Sequence, residues 1–189
     1  MSLYHWKKLS SEVKAENPWW TYRIDHFLGP KGQEITYHYM DDPGAVVIVG
    51  LTAQGKILLN KEYRPLFDEE QIEFPCGRID EGQSPIQAAR VEFGQEAGFT
   101  AHVFKEVGKF AISNGRSNAR AHVFLASDLV EANEIQPDVT EEFEHFEMSP
   151  QEIDASIASG AIIDGITISA WTIAKPHILA LLDQENHRG

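Results

Sequence analysis

Two glutamates four positions apart, Glu92 and Glu96, are the residues of this chain whose type and spacing most directly suggest chemistry. On a helix they emerge one turn apart on a single face, and like charges so placed repel unless a cation lies between them. Mg²⁺ suits such a pair, because it takes carboxylate oxygens and leaves its remaining positions to water or to phosphate. The alternative is a solvated acidic helix face, where charged side chains ordinarily lie.

The stretch that must position the pair is Glu73–Phe99, EFPCGRIDEGQSPIQAARVEFGQEAGF. Glu73 and Phe74 close an apolar strand and Pro75 stops it. Gly77 and Gly82 bound a loop containing Asp80 and Glu81. Ser84 stands where a helix N-cap belongs, and Pro85 occupies the first helical position, where a missing N–H costs nothing. The spacing predicts a helix over Ile86–Ala97, ended by Gly98 as a left-handed cap.

This loop and helix resemble the Nudix box, whose pattern is a glycine, five residues, a glutamate, seven residues and then R-E-U-x-E-E-x-G-U, with U apolar. Aligned on Gly77, the chain matches at Glu92, Phe93, Glu96, Gly98 and Phe99. It departs at three positions: Gln83 and Gln95 stand where the pattern has glutamate, and Val91 where it has arginine. The resemblance extends over about residues 44–182 and implies an α/β fold, an α/β/α sandwich around a mixed sheet. Asn17-Pro18-Trp19, the Gly29-Pro30-Lys31-Gly32 turn, Tyr63-Arg64 and Glu73-x-Pro-x-Gly77 are similar to the ADP-ribose pyrophosphatase branch of that family. In that branch a small N-terminal antiparallel sheet exchanges between the subunits of a homodimer, and its aromatic side chains clamp the adenine ring. The implied division is an N-terminal β subdomain over 1–43 and a Nudix domain over 44–189.

The resemblance also implies a site. Glu92, Glu96 and the backbone carbonyl of Cys76 would ligate Mg²⁺, with Mn²⁺ as the alternative ion. Glu142 would activate the attacking water, with Glu141 and Glu144 beside it, and Glu96 belongs to the catalytic set as well. Arg64 and Glu73 would meet the substrate. So would Gly115, Arg116 and Ser117, on a loop that with Asn114 lines a ribose pocket in relatives. Arg64 in a plain salt bridge, and the late glutamates as a solvated acidic loop, are the competing readings. Losing the box arginine removes support for neighbouring carboxylates, a loss that typically costs about 10–100-fold in metal affinity or activity. The exchange of two glutamates and one arginine leaves the site one unit less negative. Weakened Mg²⁺ binding at a single ion is therefore expected. Two functions follow: a Mg²⁺-dependent hydrolase of ADP-ribose or a related nucleoside diphosphate sugar, or a catalytically impaired Nudix-fold module that binds a nucleotide or regulates a partner.

Composition bounds these readings. The 189 residues carry a net charge of −13, which argues against nucleic acid and against an anionic membrane surface. A single cysteine, Cys76, allows no internal disulfide, in keeping with a reducing compartment, and a buried filler role suits its thiol better than nucleophilic attack. No apolar run of membrane-spanning length and no apolar signal core are evident, so a cytoplasmic protein is expected.

Along the chain, residues 1–18 read as polar and loosely tied. Trp19–Leu28 and Glu34–Met40 read as a hairpin. Trp19 and Trp20 suit a flat ring ligand or a partner subunit if exposed, or the chain's own core if buried. Ala45–Leu51, Ile57–Tyr63, Gln71–Phe74, His102–Phe110, His122–Ala126 and the edge segment Glu141–Met148 read as strands. Ser127–Thr140 reads as loop. Helices are expected over 150–159 and Thr167–Leu182, the second kinked or split at Pro176.

Overall fold

The computed structural model describes residues 3–132 and 142–186. The chain divides into two compact units, Met1–Gly44 with Ala111–Arg120, and Ala45–Phe110 with Ala121–Gly189.

The first unit is an antiparallel sheet of β1 (Lys7–Glu16), β2 (Thr21–Leu28) and β3 (Glu34–Asp41), in that order. The expectation that residues 1–18 are loosely tied is corrected here: β1 pairs with β2 from Lys7↔Leu28 to Glu16↔Thr21, with two register irregularities. All ten residues of β1 are exposed, so it carries no apolar alternation by which a strand is recognised. The segment 111–120 completes the unit through backbone and side-chain hydrogen bonds. The Met40 N–H donates to the Arg116 carbonyl (2.8 Å), and the Asn118 amide donates to Asp41 (2.6 Å) while accepting from the Asp42 N–H (3.0 Å).

The second unit contains β4 (Ala45–Gly50), β5 (Ile57–Arg64), β6 (Glu69–Glu73), β7 (Cys76–Arg78), α1 (Pro85–Ala97), β8 (Phe99–Ala111), β9 (Arg120–Glu131), β10 (Glu144–Met148), α2 (Pro150–Ser159) and α3 (Gly165–Asn186). One sheet has the order β7-β4-β9-β8 and is mixed, because β4 lies antiparallel to β7 and parallel to β9. A second sheet has the order β10-β5-β6 and is antiparallel. Alternate residues of a strand face opposite sides. Val46 and Ile48 accordingly pack with Ala88, Ala89, Phe93 and Ala97 of α1, whereas Val47 and Val49 pack with Ala170, Trp171, Ala174 and Ile178 of α3 and Ile153 of α2. Burial on both faces is why β4 is a continuous apolar run. The expected α/β/α layering around a mixed sheet is present.

Three further expectations are corrected. The segment from Ser127 is not loop at its start, since β9 continues to Glu131. Pro176 does not split α3, which runs from Gly165 to Asn186. The turns around Pro176 are held by burial of Ala174 and Ile178 and by Lys175 Nζ on Asp154 (2.7 Å), which outweighs one missing backbone hydrogen bond. Finally, Gly165–Gln184, with a mean hydropathy of 1.3, is long and apolar enough by length and composition to cross a membrane, contrary to the sequence reading. In this structure one face of the helix lies in the core of its own unit.

Candidate active site

Helix α1 forms where its caps predict. Ser84 is extended (φ −80°, ψ 152°), its N–H donates to Gln87 Oε1 (3.0 Å), and Gly98 ends the helix in the left-handed region (φ 71°). Ala88, Ala89, Phe93 and Ala97 bury one face, and Phe93 meets Phe104 edge-on with ring centroids 5.7 Å apart. That packing sets the rotation of the helix and so aims the two glutamates.

Both reach neighbouring backbone, at Cys76 and Gly77. Glu96 is 7% exposed and its Oε2 accepts the Cys76 N–H at 2.7 Å. The Glu92 carboxylate lies against Gly77, where a Cβ would stand 2.0 Å from its Cδ. The glycine therefore leaves room that the carboxylate fills. Cys76 and Gly77 are in turn fixed to the sheet, opposite Val47 and Val46 of β4, and the Pro75 carbonyl accepts the Ile48 N–H (2.8 Å).

Near Cys76, one face of the β5–β6 pair carries Asn60, Glu62, Arg64, Gln71 and Glu73. Glu73, 8% exposed, grips Arg64 through two hydrogen bonds, from Nε to Oε1 (2.7 Å) and from Nη2 to Oε2. Glu62 Oε2 adds a contact with Nη2 at 3.1 Å. Glu73 above all holds the guanidinium in its charged form. Arg64 is thus ion-paired with Glu73 and Glu62. Glu62 is a partner the sequence analysis missed; its place two residues before Arg64 on a strand, hence on the same face, was the available signal.

The Cys76 thiol is pushed well above its ordinary range by burial, then by the charges of Glu96, Asp164 and Glu73. It stays protonated, which suits a filler. Asp164 caps α3, accepting the Thr167 N–H at 2.7 Å. Glu92 and Glu96 bring hard oxygen donors beside Gly77 and Cys76, the kind a divalent ion takes. Among the described residues no group of three or more His, Cys, Asp or Glu side chains is arranged to hold a metal.

The positions that depart from the box do other things. Gln83 Oε1 accepts the Asp80 N–H (3.1 Å) and closes the loop. Val91 is 43% exposed. The neighbouring Arg90 lies over the Phe104 ring, 4.7 Å from its centroid, and donates to the Ala101 carbonyl at 3.4 Å.

Glu142 is exposed and lines a cavity of about 280 Å³ with Lys61, Glu62, Tyr63, Glu70, Phe143 and Glu144. Lys61 is tied there to Glu144 (2.5 Å) and Glu70 (3.3 Å). Glu141 lies outside the described residues. Trp19, Trp20, Gly115, Arg116 and Ser117 all belong to the first unit. Trp19 and Trp20 are 66% and 38% exposed, so neither is a core residue. Gly115 has open space at its Cβ position, Arg116 is exposed, and Ser117 Oγ accepts the Ala119 N–H (3.0 Å).

Known proteins resemble the chain along most of this architecture. The NUDIX domain model matches residues 40–166. An ADP-ribose pyrophosphatase of Bacillus subtilis (strain 168) is 32% identical over 100 residues, 53% of this chain and 54% of that protein. A methanol dehydrogenase activator of Bacillus methanolicus is 27% identical over 107 residues, 57% of this chain and 58% of that protein. The chain thus spans a little over half the length of these curated relatives. A solved structure described as an ADP compounds hydrolase superposes with a TM-score of 0.81 at 20% identity, covering 96% of this chain and 98% of its own, which establishes the shared fold. With its box helix presenting Glu92 and Glu96 to Gly77 and Cys76, the chain belongs to the Nudix family and resembles its ADP-ribose pyrophosphatases.

Proposed function

We propose that this protein is a Nudix hydrolase that cleaves the pyrophosphate of ADP-ribose or a related nucleoside diphosphate sugar. The observation that carries the reading is the convergence of the Glu92 and Glu96 carboxylates on the adjacent residues Gly77 and Cys76, held by a helix whose other face is buried. Glu92, Glu96 and the Cys76 carbonyl would hold a single Mg²⁺, or Mn²⁺, which when bound supplies charge neutralisation at the diphosphate and a more acidic water. Glu73 and Glu62 keep the Arg64 guanidinium oriented and charged, so that it can meet an anionic substrate without reorganising. Glu142, exposed to its cavity, takes the proton of the attacking water. Trp19, Trp20, Gly115, Arg116 and Ser117 contribute contacts to the nucleoside and sugar, in a homodimer.

The test is incubation with ADP-ribose and Mg²⁺, with AMP release as the readout. Glu96→Gln keeps an oxygen for the Cys76 N–H and so preserves the fold, yet should lower turnover more than about 100-fold. Full activity in that variant would refute the assignment. A gel-filtration mass of one chain would exclude the dimer.

The second reading is a nucleotide-binding or regulatory module. It is favoured by the loss of box charge at Gln83, Val91 and Gln95, and by the likeness to an activator protein. ADP-ribose binding without any AMP release would select it.

A further inference from the structure

One histidine lies in the row of side chains that runs across the β10-β5-β6 sheet to Glu73. His145 of β10 stands opposite Asn60 of β5, and Asn60 stands opposite Glu73 of β6. Directly opposed residues share a face, so His145, Asn60 and Glu73 form one line, with a step of about 5 Å between strands. Arg64 lies on the same face of β5. So does Leu58, which belongs to the same buried cluster as Phe93 and Ala89 of α1. The face that carries His145 is therefore turned towards the box helix.

The ring is held in one orientation. Its Nδ1 lies 3.1 Å from Asn60 Oδ1, and Asn60 is 3% exposed. A carbonyl oxygen only accepts, so Nδ1 carries the proton and the neutral ring has a bare Nε2. Phe143 lies against the ring, with centroids 6.2 Å apart. His145 is exposed overall, and the cover it does have pushes its imidazole below the ordinary range, so the free protein holds it neutral at pH 7.

The charges around this row leave a diphosphate short of partners. Glu62 and Arg64 face it from β5, Glu73 from β6, Glu147 from β10 itself, and Glu92 and Glu96 from α1. Arg64 is already matched by Glu73 and Glu62. His145 is the member of the row that can gain a positive charge from solution, and it can do so without giving up Asn60, since a doubly protonated ring still donates from Nδ1.

We propose that His145 takes up a proton at Nε2 when a nucleoside diphosphate enters, and that the resulting imidazolium meets the diphosphate beside Arg64. The proposal rests on the reading of this site as one for a nucleoside diphosphate. A bound anion favours the charged ring, so affinity grows as pH falls.

The experiment is calorimetric titration of the full chain, with Mg²⁺, by an ADP-ribose analogue whose bridging oxygen is replaced by methylene and which is not cleaved. Buffers of different ionisation enthalpy report the protons exchanged. The diphosphate of the analogue is ionised throughout pH 6 to 8 and takes up none itself. Net uptake at pH 7 is expected, with affinity at pH 6 at least about threefold above that at pH 8. His145→Gln should lose the uptake and bind at pH 6 as weakly as the parent at pH 8. His145→Lys, with a fixed charge, should lose the uptake but bind at pH 8 about as tightly as the parent at pH 6, which loss of a merely structural ring would not do. Should His145→Gln fail to fold, His145→Lys still decides. Binding without proton uptake, or uptake that persists in either variant, overturns the proposal and leaves the nucleotide site standing. No binding at any pH overturns both.

Discussion

In the second unit, Val46 to Val49 of β4 are wholly buried and helices cover both faces of its sheet; in the first, β1 is exposed over all ten residues and the buried polar residue is a charged aspartate. The contrast teaches where each unit keeps its function. A dense apolar core can hold carboxylates such as Glu96 and Glu73 at its margin, because rigid elements fix their partners. A thin sheet has no such reserve, and its polar groups must be satisfied by each other or by a ligand.

Four substitutions break or sharpen this comparison. The largest effect is expected from Phe93→Ala, which removes a fully buried ring beneath the box helix and should cost about 3–5 kcal/mol in denaturant unfolding. A loss below about 1 kcal/mol would show that the helix is not clamped as described. Gly77→Ala comes next. Its Cβ would displace the end of the Glu92 side chain, not backbone, so the fold should survive while AMP release falls about 10–100-fold. Unchanged turnover would detach Glu92 from the reaction.

A smaller effect concerns the α2–α3 contact. Lys175, and after it Trp171, hold the Asp154 carboxyl below its usual range. A depressed folded value means that the stabilisation is present above the unfolded pKa of about 3.9 and is lost as pH falls through the lower folded value. Asp154→Asn should therefore cost about 0.5–1 kcal/mol at neutral pH, discounted for partial exposure, and nothing in strong acid. A pH-independent difference would refute the ion pair. Smallest is Leu9→Ala on β1, half exposed, expected within about 0.5 kcal/mol of the parent. A larger loss in that variant would mean that β1 is covered in solution, as a dimer would require.

Much of the second unit was legible because its signals are local. Ser84-Pro85 and Gly98 bracket α1, Ser149-Pro150 and Gly160 bracket α2, and the apolar run of β4 marks a doubly covered strand. The same logic fails for β1, whose polar residues face water on an edge strand. It also fails for Ser127–Glu131, where a strand continues without an apolar pattern. At the site, the Glu92 and Glu96 spacing was readable, but their meeting at Cys76–Gly77 was not. The Arg64–Glu73 pair and the burial of Asp25 were equally hidden.

By itself the sequence determined the capped helix, the one-turn carboxylate pair, the buried central strand and the acidic charge balance, since each depends on backbone preference and residue type within a few positions. Tertiary structure decided which partners those groups meet. Glu96 finds the Cys76 N–H and Glu73 finds Arg64 because strand register and helix rotation bring them together, and both are set by burial of the whole sheet, not by any neighbouring residue.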